Sequence, residues 1–204
     1  MKVVIAVVLL LALLVCGGAV ISGAGVAAWY FLSGQEPPPA EVAPTVAEAA
    51  AEAGLVEREV AAGVAALNAG DAHGALVHLD LALGEEPSHV EALTARARAY
   101  TRLGQEDRAA SDYSTLLELK PGDPDALYGR AWCLHRVGQD QTAFADAERL
   151  VAVAPERGDA WLLHAECLWQ LGRLDQAKAS AARSCGLSHA PGCTAEERYR
   201  AVTR

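Results

Sequence analysis

Three groups of residues have the types and spacing to do chemistry. Cys185, His189 and Cys193 follow one another at intervals of four. In an oxidising compartment the two cysteines can close a disulfide, and with the histidine they make three zinc-type donors. No fourth donor accompanies them, and His73, His78, His89, His135 and His164 are scattered, so the disulfide is the expectation and no metal is expected. The second group is aromatic and basic. Tyr128, Trp132 and His135 are spaced four and three apart, which puts them on one helix face with Arg136 beside them. Arg98 and Arg102 precede this face and Trp169 follows it. Aromatic surface flanked by arginine has the composition of a binding hot spot. The third group is a repeated charge pair, Arg96 with Asp112 and Arg130 with Asp146, each separated by sixteen positions. The next copy of that pair reads His164 and Ser180.

Other chemistry is missing from the chain. The formal net charge of −9, without a basic tract, argues against nucleic acid as a partner. There is no glycine-rich phosphate loop, no HExxH and no GxSxG elbow. The expectation is a non-enzymatic protein without a cofactor.

The elements that position these residues follow from a period. Gly70, Gly104, Gly138 and Gly172 recur every 34 residues, each with an alanine five positions on, at Ala75, Ala109, Ala143 and Ala177. Pro87, Pro121 and Pro155 close three units in one register, and Gly63, Ala97, Ala131 and Ala165 supply small residues in another. Within the third unit, Leu127, Ala131 and Leu134 have helical spacing before Gly138, and Phe144, Ala147, Leu150 and Val151 have it after. That is an antiparallel helix pair whose small residues permit close approach. One pair cannot bury its apolar face alone, so units must stack.

These glycines, alanines and prolines resemble the tetratricopeptide repeat (TPR) family. The resemblance covers residues 56 to 189, with repeats at about 56–89, 90–123, 124–157 and 158–191. It departs at Glu59, where Trp or Leu is usual, at Ala147 and Ala181, which stand where Tyr113 gives an aromatic, and at His189 in place of a closing proline. It implies an all-α solenoid, a right-handed superhelix whose first helices build a concave wall for a protein or peptide partner. By phase that groove carries Arg98, Arg102, Tyr128, Trp132, His135, Arg136 and Trp169, with Val60, Val64, Leu67, Thr94, Thr101, Leu162 and Glu166. Relatives that grip C-terminal carboxylates use Lys and Asn at places held here by Thr94, Arg98, Tyr128 and Trp132, so that specificity does not carry over. Thr194 with Glu197 has capping-box spacing and predicts a C-terminal capping helix over about 195–203.

The N-terminal end differs in kind. Residues 3–32 contain no charge and end in Trp29-Tyr30-Phe31, an interfacial aromatic set, so residues 1–32 are expected to be a transmembrane signal anchor. Cleavage near Ser22-Gly23-Ala24, or lipidation at Cys16, are the alternatives. Lys2 precedes the segment, while Gln35 to Glu52 contains acids but no Lys or Arg, which predicts a cytoplasmic N-terminus. The Ala-, Gly- and Arg-heavy usage is of a bacterial kind, so the repeats are expected in the periplasm. Residues 33–45, with Pro37-Pro38-Pro39 and Pro44, read as an extended linker to a domain at 46–204.

Overall fold

The computed structural model describes residues 46–202, with side-chain surroundings over 54–201. The expected membrane segment 1–32 and linker 33–45 lie outside the described residues. Among those described, no helix is long and apolar enough to cross a membrane.

Residues 46–202 form helices in every unit and no strand. They are α1 (Val46–Asn68), α2 (Ala72–Glu85), α3 (Val90–Arg102), α4 (Glu106–Leu119), α5 (Pro124–Arg136), α6 (Asp140–Val153), α7 (Gly158–Gln170), α8 (Leu174–Gly186) and α9 (Ala190–Val202). Each helix packs on the next. The first helices also touch one another in series, α1 on α3, α3 on α5, α5 on α7 and α7 on α9, so the odd-numbered helices line one wall of the stack.

The periodic residues explain this geometry. Gly70, Gly104, Gly138 and Gly172 sit between the helices of each hairpin with φ of 89°, 69°, 78° and 72°. That left-handed backbone strains residues with a Cβ. The alanines five positions later are fully buried, as are Ala97, Ala131 and Ala165. At Gly63, the same place in the first unit, an added Cβ would stand 2.6 Å from Leu79 Cγ. Small residues there let paired helices close on one another. Helix starts are capped locally: Asp71 accepts the Gly74 amide, His89 Nδ1 that of Ala92, and Asp123 those of Asp125 and Ala126.

The C-terminal end departs from the expected boundary. The capping helix begins at Ala190, more than a turn before Ala195. Thr194 is therefore not an N-cap, and its hydroxyl donates to the carbonyl of Ala190 within the helix, at 3.3 Å. Pro191 lies in the first turn, where its missing N–H costs no hydrogen bond. The turn from α8 is correspondingly short, with Ser188 at φ 61°. A Cβ on Gly158 would stand 2.5 Å from His189 Cβ, so Gly158 makes room for this turn against α7.

Candidate functional site

Helices α3, α4 and α5 enclose a cavity of about 590 Å³. From α3 come Val90, Thr94, Arg98, Thr101 and Arg102; from α4, Tyr113 and Leu116; from α5, Asp125, Tyr128, Gly129 and Trp132; and from the turn before α5, Lys120 and Asp123. Gly129 shapes it, because a Cβ there would come 2.3 Å from the Tyr113 ring. The ring thus lies flat against α5 and forms the cavity floor. Burial pushes the Tyr113 phenol up to about 12 and also raises that of Tyr128, so both stay neutral hydrogen-bonding groups.

Tyr128 and Trp132 stack with centroids 6.4 Å apart and planes 9° from parallel. Arg157 sits over the Tyr128 ring at 5.3 Å and bonds both Asp125 and Asp159, at 2.7 and 2.8 Å. One of the cavity's acids is neutralised by that arginine, and Asp123 accepts backbone amides. The basic side is freer. Arg98 and Lys120 are exposed, and Arg102, also exposed, donates to the carbonyl of Leu67. The cavity is thus lined by aromatic side chains, with Arg98, Arg102 and Lys120 exposed around it.

The sequence-derived face divides between this cavity and other places. Arg98, Arg102, Tyr128 and Trp132 line it with Thr94 and Thr101. Val60 and Leu67 do not belong to an open wall, being 2% and 1% exposed in the core. His135 turns to Asp140, with Nδ1 2.5 Å from the carboxylate. Arg136 reaches back to Glu106, its Nε 2.5 Å from a carboxylate that is buried at the start of α4 and otherwise without an aligned hydrogen bond. Trp169 stacks on the fully buried Tyr199 of α9, centroids 4.4 Å apart. These three residues lie at the C-terminal ends of their helices, where the neighbouring hairpin or cap meets them. Tyr113, Lys120 and Arg157 enter the site from a second helix and from turns, which a reading by first-helix phase does not reach, while Gly129 lies on α5 itself.

The charge pairs join the helices of single hairpins. Arg96 holds Asp112 through Nε and Nη2 at 2.9 and 2.7 Å, and extends Nη1 to Asp80 at 2.8 Å. Arg130 holds Asp146 through Nε and Nη2, both at 2.7 Å, with Nη1 on Ser114 at 3.3 Å. Such forked pairing is the geometry at which guanidinium and carboxylate bind best. The hydrogen bonds to Asp112 and to Asp146 are the main reason Arg96 and Arg130 titrate above the ordinary range. In the fourth unit His164 Nδ1 meets Ser180 Oγ at 2.9 Å, and burial pushes this imidazole below its usual value. Cys185 and Cys193 form a disulfide linking α8 to α9, Cα atoms 4.5 Å apart. Cys133 and Cys167 are free and buried, and burial pushes the Cys167 thiol up to about 12.

Comparisons with known proteins agree with the architecture. A family profile described as tetratricopeptide repeat matches residues 60–124, 94–149 and 139–188, together more than half of the chain. No curated protein matches the sequence. Among solved structures, the chain resembles MamA 41-end from Desulfovibrio magneticus RS-1, with TM-score 0.63 and 19% identity over 74% of this chain and 96% of that one. It also resembles a tetratricopeptide repeat protein from Parabacteroides merdae ATCC 43184, with TM-score 0.63 and 24% identity over 71% of this chain and 57% of that one. A third, a thermophilic TPR protein from Thermus thermophilus, gives TM-score 0.59 and 21% identity over 72% of this chain and 82% of that one. At these identities the likeness is one of fold.

Proposed function

This chain belongs to the tetratricopeptide repeat family, and from that premise we propose that it is a scaffold holding a partner protein through the cavity between α3, α4 and α5. The observation that carries the reading is the juxtaposition of the Tyr128–Trp132 stack with Arg98, Arg102 and Lys120 around one opening. Desolvated aromatics flanked by arginine concentrate binding energy. The matching ligand is an extended or helical segment carrying apolar and acidic side chains. No catalytic role is assigned, since the cavity offers positioning groups and no activated nucleophile or acid–base pair.

In this reading residues 1–32 hold the scaffold in a membrane, with the N-terminus cytoplasmic and the repeats in the bacterial periplasm. Support comes from the uncharged stretch 3–32, from Lys2 before it and from the acidic, Lys- and Arg-free stretch 35–52 after it. Fractionation tests this half. The full chain should sediment with membranes and resist salt and alkaline extraction, and a chain beginning at residue 46 should not; a soluble full chain contradicts the anchor.

A second reading, an architectural subunit of an envelope assembly, is favoured by one observation. Val77 and Leu81, one turn apart on α2, are 62% and 57% exposed outside the cavity. Val77→Glu distinguishes the readings: it should leave partner capture intact in the first and disrupt assembly in the second.

A further inference from the structure

The 34-residue period supplies an internal comparison at the junctions between units. Three places recur at each junction: the last turn of a first helix, the start of the following second helix, and a site near the C-terminal end of the next first helix. At the first junction they hold Leu67, Ala72 and Ala99, and at the last Trp169, Leu174 and Ala201. The two end junctions are therefore apolar. At the second junction they hold Thr101, Glu106 and Cys133, where the Thr101 hydroxyl lies 3.7 Å from Cys133 Sγ and Arg136 compensates Glu106. At the third they hold His135, Asp140 and Cys167.

That third junction brings an imidazole, a carboxylate and a thiol together. One donor atom from each lies within 4.8 Å of the other two. Cys167 is fully buried, while the side chains of His135 and Asp140 are 17% and 20% exposed, which gives a path to solvent. A thiol also stands at this position in the second junction, as Cys133, but there it meets Thr101 and Glu106. Only at the third junction, among the described residues, do imidazole, carboxylate and thiol donors meet, and a hydrogen bond between His135 and Asp140 does not call for the thiol. A divalent ion does. Bonds of about 2.0–2.3 Å to nitrogen, oxygen and sulfur in a tetrahedral arrangement need donor separations of roughly 3.3–3.8 Å. Side-chain rotation that widens the His–Asp contact and draws in Cys167 reaches that range. Thiolate and carboxylate together cancel a dipositive charge, so the half-buried site is left neutral, and the mixed donor set suits a borderline-soft ion.

We propose that His135, Asp140 and Cys167 are three ligands of a site for a divalent cation of the zinc class, with water in the fourth position, clamping α5, α6 and α7. The site lies apart from Cys185, His189 and Cys193, whose two cysteines are joined in the disulfide. It is independent of the partner cavity, which shares with it only helix α5.

Cobalt(II) is the probe, because a thiolate bound to it absorbs in the near ultraviolet and tetrahedral cobalt absorbs in the visible. The full chain, its disulfide kept oxidised, should develop both bands and saturate at one cobalt per chain, with zinc then bleaching them. Cys167→Ser should remove the thiolate band. His135→Gln, at a position that tolerates a polar side chain, should weaken binding by about tenfold or more. Cys133→Ser, the equivalent thiol one unit earlier, should change neither band. Circular dichroism checks that each variant remains helical. The proposal is overturned if the parent gives no thiolate band, if the band survives Cys167→Ser, or if a folded His135→Gln binds cobalt like the parent. If Cys167→Ser unfolds, His135→Gln alone decides.

Discussion

The middle of the stack and its C-terminal end are built from the same hairpin, yet they treat their aromatic residues in opposite ways. Between α3 and α5, Tyr128 and Trp132 stack on each other and face a cavity that Gly129 and the flat Tyr113 ring keep open. At the end, Trp169 stacks instead on Tyr199, and α9 is tied to α8 by the Cys185–Cys193 disulfide. The charge lock changes in parallel, from the forked Arg130–Asp146 pair to a single hydrogen bond between His164 and Ser180. A terminal unit has no neighbour to cover its face, so its aromatic residue serves the seal. An interior unit, supported on both sides, leaves its aromatics half-open to the cavity.

The largest effect that can break this comparison is at the seal. Tyr199→Ala empties a fully buried aromatic site and should cost about 3–5 kcal/mol in chemical denaturation. Trp132→Ala should cost far less, because its site is already half-open. Equal losses would mean that Trp132 serves the core as Tyr199 does.

Next is the cavity floor. Gly129→Ala drives a methyl group into the Tyr113 ring, with an expected loss of about 1–3 kcal/mol and a reduced cavity that weakens partner binding. Unchanged stability and unchanged binding would show that the ring moves aside freely.

The charge locks rank third. Arg130→Ala leaves Asp146, with its side chain 4% exposed, short of its main partner, and should cost about 1–3 kcal/mol. A double-mutant cycle with Asp146→Ala should return a clear coupling energy, and a coupling of zero would remove the lock from the account.

The smallest effect is the pH response of the fourth unit. Burial lowers the His164 pKa from 6.5, so below that value the unfolded chain binds a proton that the folded chain resists. Stability should fall as pH drops below about 6.5, and His164→Gln should flatten that slope. A slope unaffected by the substitution would assign it to another group.

What the sequence discloses follows from repetition. The glycines with positive φ and the buried alanines recur in one register, so the hairpin and its stacking are legible in the order of residues alone. The arginine–aspartate offset of sixteen occurs twice and is visible for the same reason. Glu106 with Arg136 crosses from one unit to the next, and Arg157 with Asp125 joins the two ends of a single unit; each occurs once, so no period announces them. The spacing of Thr194 and Glu197 points to a start for α9 that is more than a turn too late, because it is a local signal that tertiary constraints override. The disulfide and the close approach of His189 to Gly158 begin the helix at Ala190. Trp169 has the phase of a groove residue, and only Tyr199, thirty positions away, removes it from that role.

The open-middle and sealed-end account is tested most directly by placing one photoreactive phenylalanine derivative at position 132 and, separately, at position 169, in the full chain in native membranes. The account predicts a partner adduct from position 132 that disappears when Arg98→Glu is added, and from position 169 only an internal crosslink to α9. A partner adduct from 169, or one from 132 that is indifferent to Arg98→Glu, would contradict it.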